Sequence, residues 1–208
     1  MKKLGTLDTH SYKVETIQSY GIDVEKRVIY VNSEDYSEEG ETGVDFLMAS
    51  KFIKNLDYLN SISNEPILVK TLNCGGDWFY GMAMFDAIKE SIAPVDVHAK
   101  AWARSMSSII IQAGRKRTLS KHSVFMVHYG EYADYGDLRK VTSGVDFYQG
   151  MNKVMFDIYA NRCFGAKGWG KLSKEKISVA IEAKVKELTD WWLTAQDALA
   201  LGFIDEVI

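Results

Sequence analysis

The chain has 208 residues, 47% of them hydrophobic, which is enough to bury one sizeable core and short enough that a single domain is expected. Its 25 Lys and Arg against 28 Asp and Glu leave a net charge of −3 with no basic cluster, which argues against a phosphate backbone, and so nucleic acid, as partner. Cys74 and Cys163 match no metal-ligand spacing and suit a reducing cytoplasm, no two histidines form an H-x-x-x-H pair, and no apolar run approaches bilayer length, so no metal, cofactor or membrane is expected.

Met1 to Asp8 carries two lysines with no apolar stretch behind them and does not read as a secretory signal. Arg27–Asn32 reads as a strand, followed by an acidic, glycine-containing loop from Ser33 to Gly43. Val44, Met48, Phe52, Leu56 and Leu59 recur at helical spacing. Ile67–Leu72 is a buried-type strand running into Asn73-Cys74-Gly75-Gly76, a turn whose glycines allow close backbone approach, and a helix over Trp78–Ser91 follows. Val95, Val97 and Ala99 alternate as a half-buried strand, and a break is expected at Ala101–Arg104 before the apolar helix that Ser105 opens. Val124–Val127 is a short buried strand ending at His128, then Tyr129–Gly136 is loop and Asp137–Asn161 a long helix. Ser173 caps a helix reaching Lys186, Ala195–Leu201 forms a short one, and Phe203–Val207 is a terminal strand. This alternation predicts a single-domain α/β layered fold with parallel strands.

Three residues stand where strands or loops meet helices, the places α/β folds use for sites. Ser105 precedes Met106-Ser107-Ser108, whose unbonded N–H groups at a helix start favour an oxyanion, although serine is also an ordinary N-cap. His128 leaves a buried strand, where a base is useful and where a satisfied polar residue is equally at home. Asp190 lies before Trp191-Trp192-Leu193-Thr194, and nothing local distinguishes it from a cap for the next helix. Gly75-Gly76 can be a plain turn or can aim a backbone N–H at a substrate carbonyl.

Read in order, these features resemble the proteolytic subunit of the Clp protease. The resemblance runs through Arg27-Val28-Ile29-Tyr30-Val31, Asn73-Cys74-Gly75-Gly76, Gly81–Asp86, Ala103-Arg104-Ser105-Met106, Ala113-Gly114 and Val124–His128, and ends with Thr189–Ala195 and Ala198–Asp205. It implies a serine endopeptidase with Ser105 as nucleophile, His128 as base and Asp190 orienting the histidine. It assigns the oxyanion hole to the N–H groups of Gly76 and Met106, and binding of an extended peptide to the Gly75-Gly76 turn. It further implies a crotonase-like spiral of strand-strand-helix units over residues 21–208, preceded by an N-terminal axial segment, residues 1–20, that is a gate or disordered. Unfolded polypeptide would be the substrate, cut inside a chamber of homo-oligomeric, heptameric rings stacked in pairs.

Several positions depart from the family pattern. Asn73-Cys74 replaces Ser-Pro before the glycines, and Cys74 reads as a small buried hydrophobe. Arg104 replaces a small residue, either biasing the site toward acidic substrates or a regulatory contact, or turned to solvent. Tyr129–Gly136 replaces a Gln-Pro pair and a glycine-rich strand, and Thr189 stands where many members carry a ring-pairing arginine. The pocket for the AAA+ unfoldase falls on Leu68, Lys70 and Glu90, and two charges there predict a non-standard ATPase partner or none, as in a dedicated, for example virus-encoded, processing protease. The competing readings are a non-catalytic ring subunit, a crotonase-type acyl-CoA enzyme and a Ser/Lys peptidase; the joint presence of Ser105, His128 and Asp190 speaks against each.

Overall fold

Alternation of side chains in Ile67–Asn73 buries Ile67, Val69, Thr71 and Asn73 on one face and leaves Leu72 exposed, the period of a strand at the centre of a sheet. A computed structural model describes residues 9–32, 36–37 and 40–208. The first part comprises helix α1 (Thr9–Tyr20), strands β1 (Ile22–Asp23), β2 (Val28–Asn32), β3 (Tyr36–Ser37) and β4 (Gly40–Glu41), helix α2 (Phe46–Ile62), strand β5 (Ile67–Asn73) and helix α3 (Trp78–Glu90). Strand β6 (Val95–Arg104), helix α4 (Met106–Ile110), strands β7 (Arg117–Leu119) and β8 (Val124–His128), and helices α5 (Leu138–Cys163) and α6 (Lys174–Leu188) follow. Strand β9 (Asp190–Thr194), helix α7 (Ala195–Ala200) and strand β10 (Glu206–Val207) close the chain. Residues 1–8 of the expected axial segment lie outside the described residues.

Helix starts follow their caps. Asp45 accepts the Met48 N–H, Asp77 accepts those of Phe79 and Tyr80, and Ser173 accepts that of Lys176, so each satisfies donors the first turn leaves open. Thr194 and Asp197 form a reciprocal capping box at α7.

The main sheet runs β1-β2-β5-β6-β7-β10, with β8 added on β6 and β9 on β8. Strand β6 changes partner halfway. Val97–Ala99 pair with Arg117–Leu119 of β7, whereas Trp102–Arg104 pair with Val124–Met126 of β8. Ala101, at φ 61°, sits between the two stretches. The expected break at Ala101–Arg104 is therefore a bend inside one continuous strand, where a single left-handed residue re-aims the pairing edge. The expectation of parallel strands holds for β2, β5, β6, β7, β10 and the pairing of β8 with β6, while β1 and β9 are antiparallel to their neighbours.

Behind β8 and β9, Phe125 stacks on Phe203 at 4.9 Å, and Tyr159 and Trp191 meet Phe203 edge-on at 5.5 and 5.7 Å. Complete burial of a side chain such as Phe125 contributes about 2–3 kcal/mol, so this cluster anchors the small sheet. Buried Arg117 braces the C-terminal turn by donating to Asp205, to the Gln112 side chain and to the carbonyls of Gly202 and Phe203. Helix α5 buries only its C-terminal third, from Met155 to Cys163. The result is a single mixed α/β domain. Among the described residues no helix is long and apolar enough to cross a membrane.

Candidate active site

Strand register brings the three singled-out residues together. Arg104 of β6 is the register partner of Met126 in β8, and the next residue, Ser105, donates its N–H to the Met126 carbonyl at 3.2 Å. His128 lies two residues beyond Met126, hence on the same face of β8, and its Nε2 is 2.8 Å from Ser105 Oγ. Across the antiparallel ladder His128 is the direct partner of Asp190, and Nδ1 lies 3.4 Å from Asp190 Oδ1. The first link has hydrogen-bond length; the second is looser, and Asp190 keeps 45% of its side chain exposed. Asp190 heads a strand whose Trp191 and Leu193 face inward, so it is not the cap of α7, a role that belongs to Thr194.

Ser105 is not a cap either. It precedes α4 with φ 52° and ψ −131°, and its side chain makes no capping bond. A non-glycine residue there costs about 1–3 kcal/mol and persists only when its surroundings hold it. Here the Ser105 carbonyl accepts the Ser108 N–H at 3.0 Å and the Ser108 Oγ–H at 2.6 Å. Ser108 Oγ is also 2.6 Å from the hydroxyl of Tyr159, a wholly buried residue of α5 whose phenol burial holds in its neutral form. The Ser108 N–H, expected to be open, is thus taken by Ser105, and the contact between Ser108 and Tyr159 was not read from the sequence because the two meet only when α5 packs under α4.

The glycine turn lies against the strained elbow that Ser105 forms between β6 and α4. A Cβ on Gly75 would stand 2.6 Å from Ser105 Cβ and 3.0 Å from its Oγ, and φ of 107° and 138° at Gly75 and Gly76 excludes other residues on conformational grounds as well. The Gly75 carbonyl accepts the Val44 N–H, and the Asp77 N–H donates to the Val44 carbonyl. In a parallel bridge those groups point to one side, so the Gly76 N–H points to the other. Among the described residues, no protein acceptor takes the N–H of Gly76 or of Met106.

A cleft of about 420 Å³ opens at these residues. Met106, Ile109, Met126, Met151 and Met155 supply apolar wall, while Arg104 and Glu131 add charge. Arg104 is half-buried, not turned to solvent: its Nε donates to the Cys74 carbonyl at 3.1 Å and its guanidinium lies 4.5 Å from the Trp102 ring centre. Cys74 is half-buried in the same cleft, and burial together with the Glu41 charge pushes its thiol pKa up. A larger groove of about 680 Å³ between α5 and α6 is lined by none of the three residues. Among the described residues no three His, Cys, Asp or Glu side chains group as metal ligands.

A hydroxyl, an imidazole and a carboxylate in sequence beside two open backbone N–H groups is the constellation found in serine hydrolases. Comparison with known proteins narrows the class. A family model described as Clp protease matches residues 34–208. The chain is 27% identical over 170 residues to the ATP-dependent Clp protease proteolytic subunit of Deinococcus radiodurans, covering 80% of this chain and 77% of that one. It is 29% identical to proteolytic subunit 1 of Protochlamydia amoebophila, over 79% and 76% of the two chains. With proteolytic subunit 2 of Pseudomonas aeruginosa it shares 27% identity over 80% and 77%. The chain belongs to the Clp protease family, as a divergent member.

Proposed function

We propose that this chain is a serine endopeptidase in which Ser105 attacks the peptide carbonyl, His128 takes the hydroxyl proton at Nε2 and Asp190 orients and stabilises the imidazolium. The observation that carries the reading is Ser105 itself: a strained, non-capping serine whose Oγ is 2.8 Å from His128 Nε2. Attack forms the C–O bond and moves the carbonyl electron pair onto oxygen, and the N–H groups of Gly76 and Met106 donate to that oxyanion. Collapse breaks the C–N bond while the imidazolium returns its proton to the leaving amine; water then enters by the same route and releases the acid. The peptide would lie extended along Gly75-Gly76, with an apolar side chain against the methionine wall of the cleft.

The wider reading is of a crotonase-like spiral over residues 21–208, assembled as homo-oligomeric rings in the cytoplasm that enclose unfolded polypeptide, with residues 1–20 at the axis. The relatives' names carry ATP dependence, which for this chain becomes the proposal of an ATPase partner. Lys70, half-buried with its ammonium 5.7 Å from the Tyr30 ring centre, and exposed Glu90 favour a non-standard one, or none. The test is labelling by a fluorophosphonate probe, with the modified residue read by mass spectrometry. Labelling at Ser105 that vanishes in Ser105→Ala is expected; an assembled, folded protein that stays unlabelled would move the reading to a non-catalytic ring subunit.

A further inference from the structure

The turn that carries Gly76 is held from below by a buried polar pair. Asn73, wholly buried at the end of β5, turns its Oδ1 back to accept the Gly75 N–H at 2.9 Å. The same oxygen lies 2.6 Å from Ser107 Oγ, which is also 2.9 Å from the Asn73 backbone carbonyl. A hydroxyl has one proton, so Ser107 shares it between two acceptors of one residue. Ser107 is the second residue of α4 and is 3% exposed. The pair therefore fastens the glycine turn to the helix that Met106 begins.

That connection matters because the two open N–H groups belong to different elements. Gly76 follows β5, Met106 heads α4, and an oxyanion must meet both at hydrogen-bond distance. Two consecutive glycines leave the turn many conformations, and a rotation of the Gly75-Gly76 peptide would withdraw the Gly76 N–H. The Asn73 side chain closes an Asx-type turn over Gly75 and excludes those alternatives, since breaking it would leave the buried Gly75 N–H without a partner and the Ser107 hydroxyl with only the Asn73 carbonyl. We infer that Asn73 and Ser107 are positioning residues for the oxyanion hole, setting the separation of the Gly76 and Met106 N–H groups without touching substrate. The inference rests on the serine-peptidase reading above.

The measurement is steady-state cleavage of a fluorogenic peptide together with inhibition by the matching peptide aldehyde, whose hemiacetal oxygen occupies the oxyanion position. Asn73→Ala and Ser107→Ala should lower kcat by about 30-fold, a fraction of what loss of a donor itself does, and weaken the aldehyde by a similar factor, with KM within about threefold. Asn73→Asp keeps the acceptor for both donors and should restore kcat to within about fivefold of wild type. If Asn73→Ala does not fold, Ser107→Ala, which removes one hydroxyl, carries the test. Variants that match the wild type in kcat and aldehyde affinity would overturn the inference, as would a parallel loss of kcat, KM and thermal stability. A wild type that neither cleaves peptide nor takes the fluorophosphonate overturns the peptidase reading and this inference with it; a reactive wild type with unaffected variants overturns the inference alone.

Discussion

The two sides of the site are built by different means. His128 and Asp190 face each other as register partners in a regular antiparallel ladder, backed by buried Phe125, Trp191 and Leu193. Ser105, Gly75 and Gly76 lie outside regular structure at positive φ, held by hydrogen bonds from particular side chains. The ladder side takes its geometry from backbone pairing, which any residue except proline can make, so it should tolerate side-chain change around it. The elbow side depends on individual atoms, so single substitutions there should reach the chemistry directly.

The largest expected effect removes the bond that joins the sides. Ser105→Ala and His128→Ala should each lower kcat/KM by about 10⁴-fold or more with little change in melting temperature. Ser105→Gly should be equally inactive yet more stable than Ser105→Ala, because glycine occupies φ 52° without strain; thermal unfolding of the pair checks it. On the elbow side, Gly75→Ala should lose about 10³-fold in peptide cleavage, since its methyl would displace Ser105. On the ladder side, Asp190→Asn should lose about 10²-fold, less than for a fully buried triad aspartate, because the carboxylate is 45% exposed and 3.4 Å from the ring. A Gly75→Ala enzyme more active than Asp190→Asn would break the comparison.

A smaller effect tests the brace under α4, in which Arg117 joins Asp205 to Gln112, whose side chain donates to the Ser108 carbonyl. Burial pushes the Asp205 carboxyl up, but its bonds to the Arg117 guanidinium outweigh that and hold its pKa below the usual value. A carboxyl depressed on folding adds stability above its unfolded value, near pH 4, and loses it as the pH falls through the folded value. The wild-type advantage over Asp205→Asn, on the order of 1 kcal/mol after allowing for partial exposure, should therefore be complete at pH 7 and shrink in acid denaturation profiles below about pH 4. Smallest is a reactivity difference. Iodoacetamide at mild alkaline pH should modify Cys74, in the cleft, well before Cys163, whose thiol burial pushes up to about 12; mass spectrometry of the adducts reads the order.

Most of the elements were legible as period and punctuation. The alternation of Ile67–Leu72, the helical spacing from Val44 to Leu59 and the cap at Ser173 depend on residues within a few positions of each other, so a local reading places them. What escaped were helix α1, Thr9–Tyr20, inside the segment read only as a gate or disordered, and short strands defined by their partners: β1 and β7 have two and three residues, and β9 shows as a strand only because β8 lies beside it. The bend at Ala101 escaped for the same reason, since its φ follows from two different neighbours of β6.

For the site, the sequence alone determined the candidate residue types, their order and, through the resemblance of several ordered motifs, the family, because those are properties of the string. It determined as well that Gly75-Gly76 could adopt a backbone that other residues resist. Only the tertiary structure decided that Ser105 is an elbow and not a cap, that Asp190 stands opposite His128, and that Ser108 and Tyr159 hold the elbow while Asn73 and Ser107 fasten the turn. The reason is separation along the chain. Tyr159 is 51 residues from Ser108 and Ser107 is 34 from Asn73, so these bonds exist only once the sheet has bent at Ala101 and α5 has packed beneath α4.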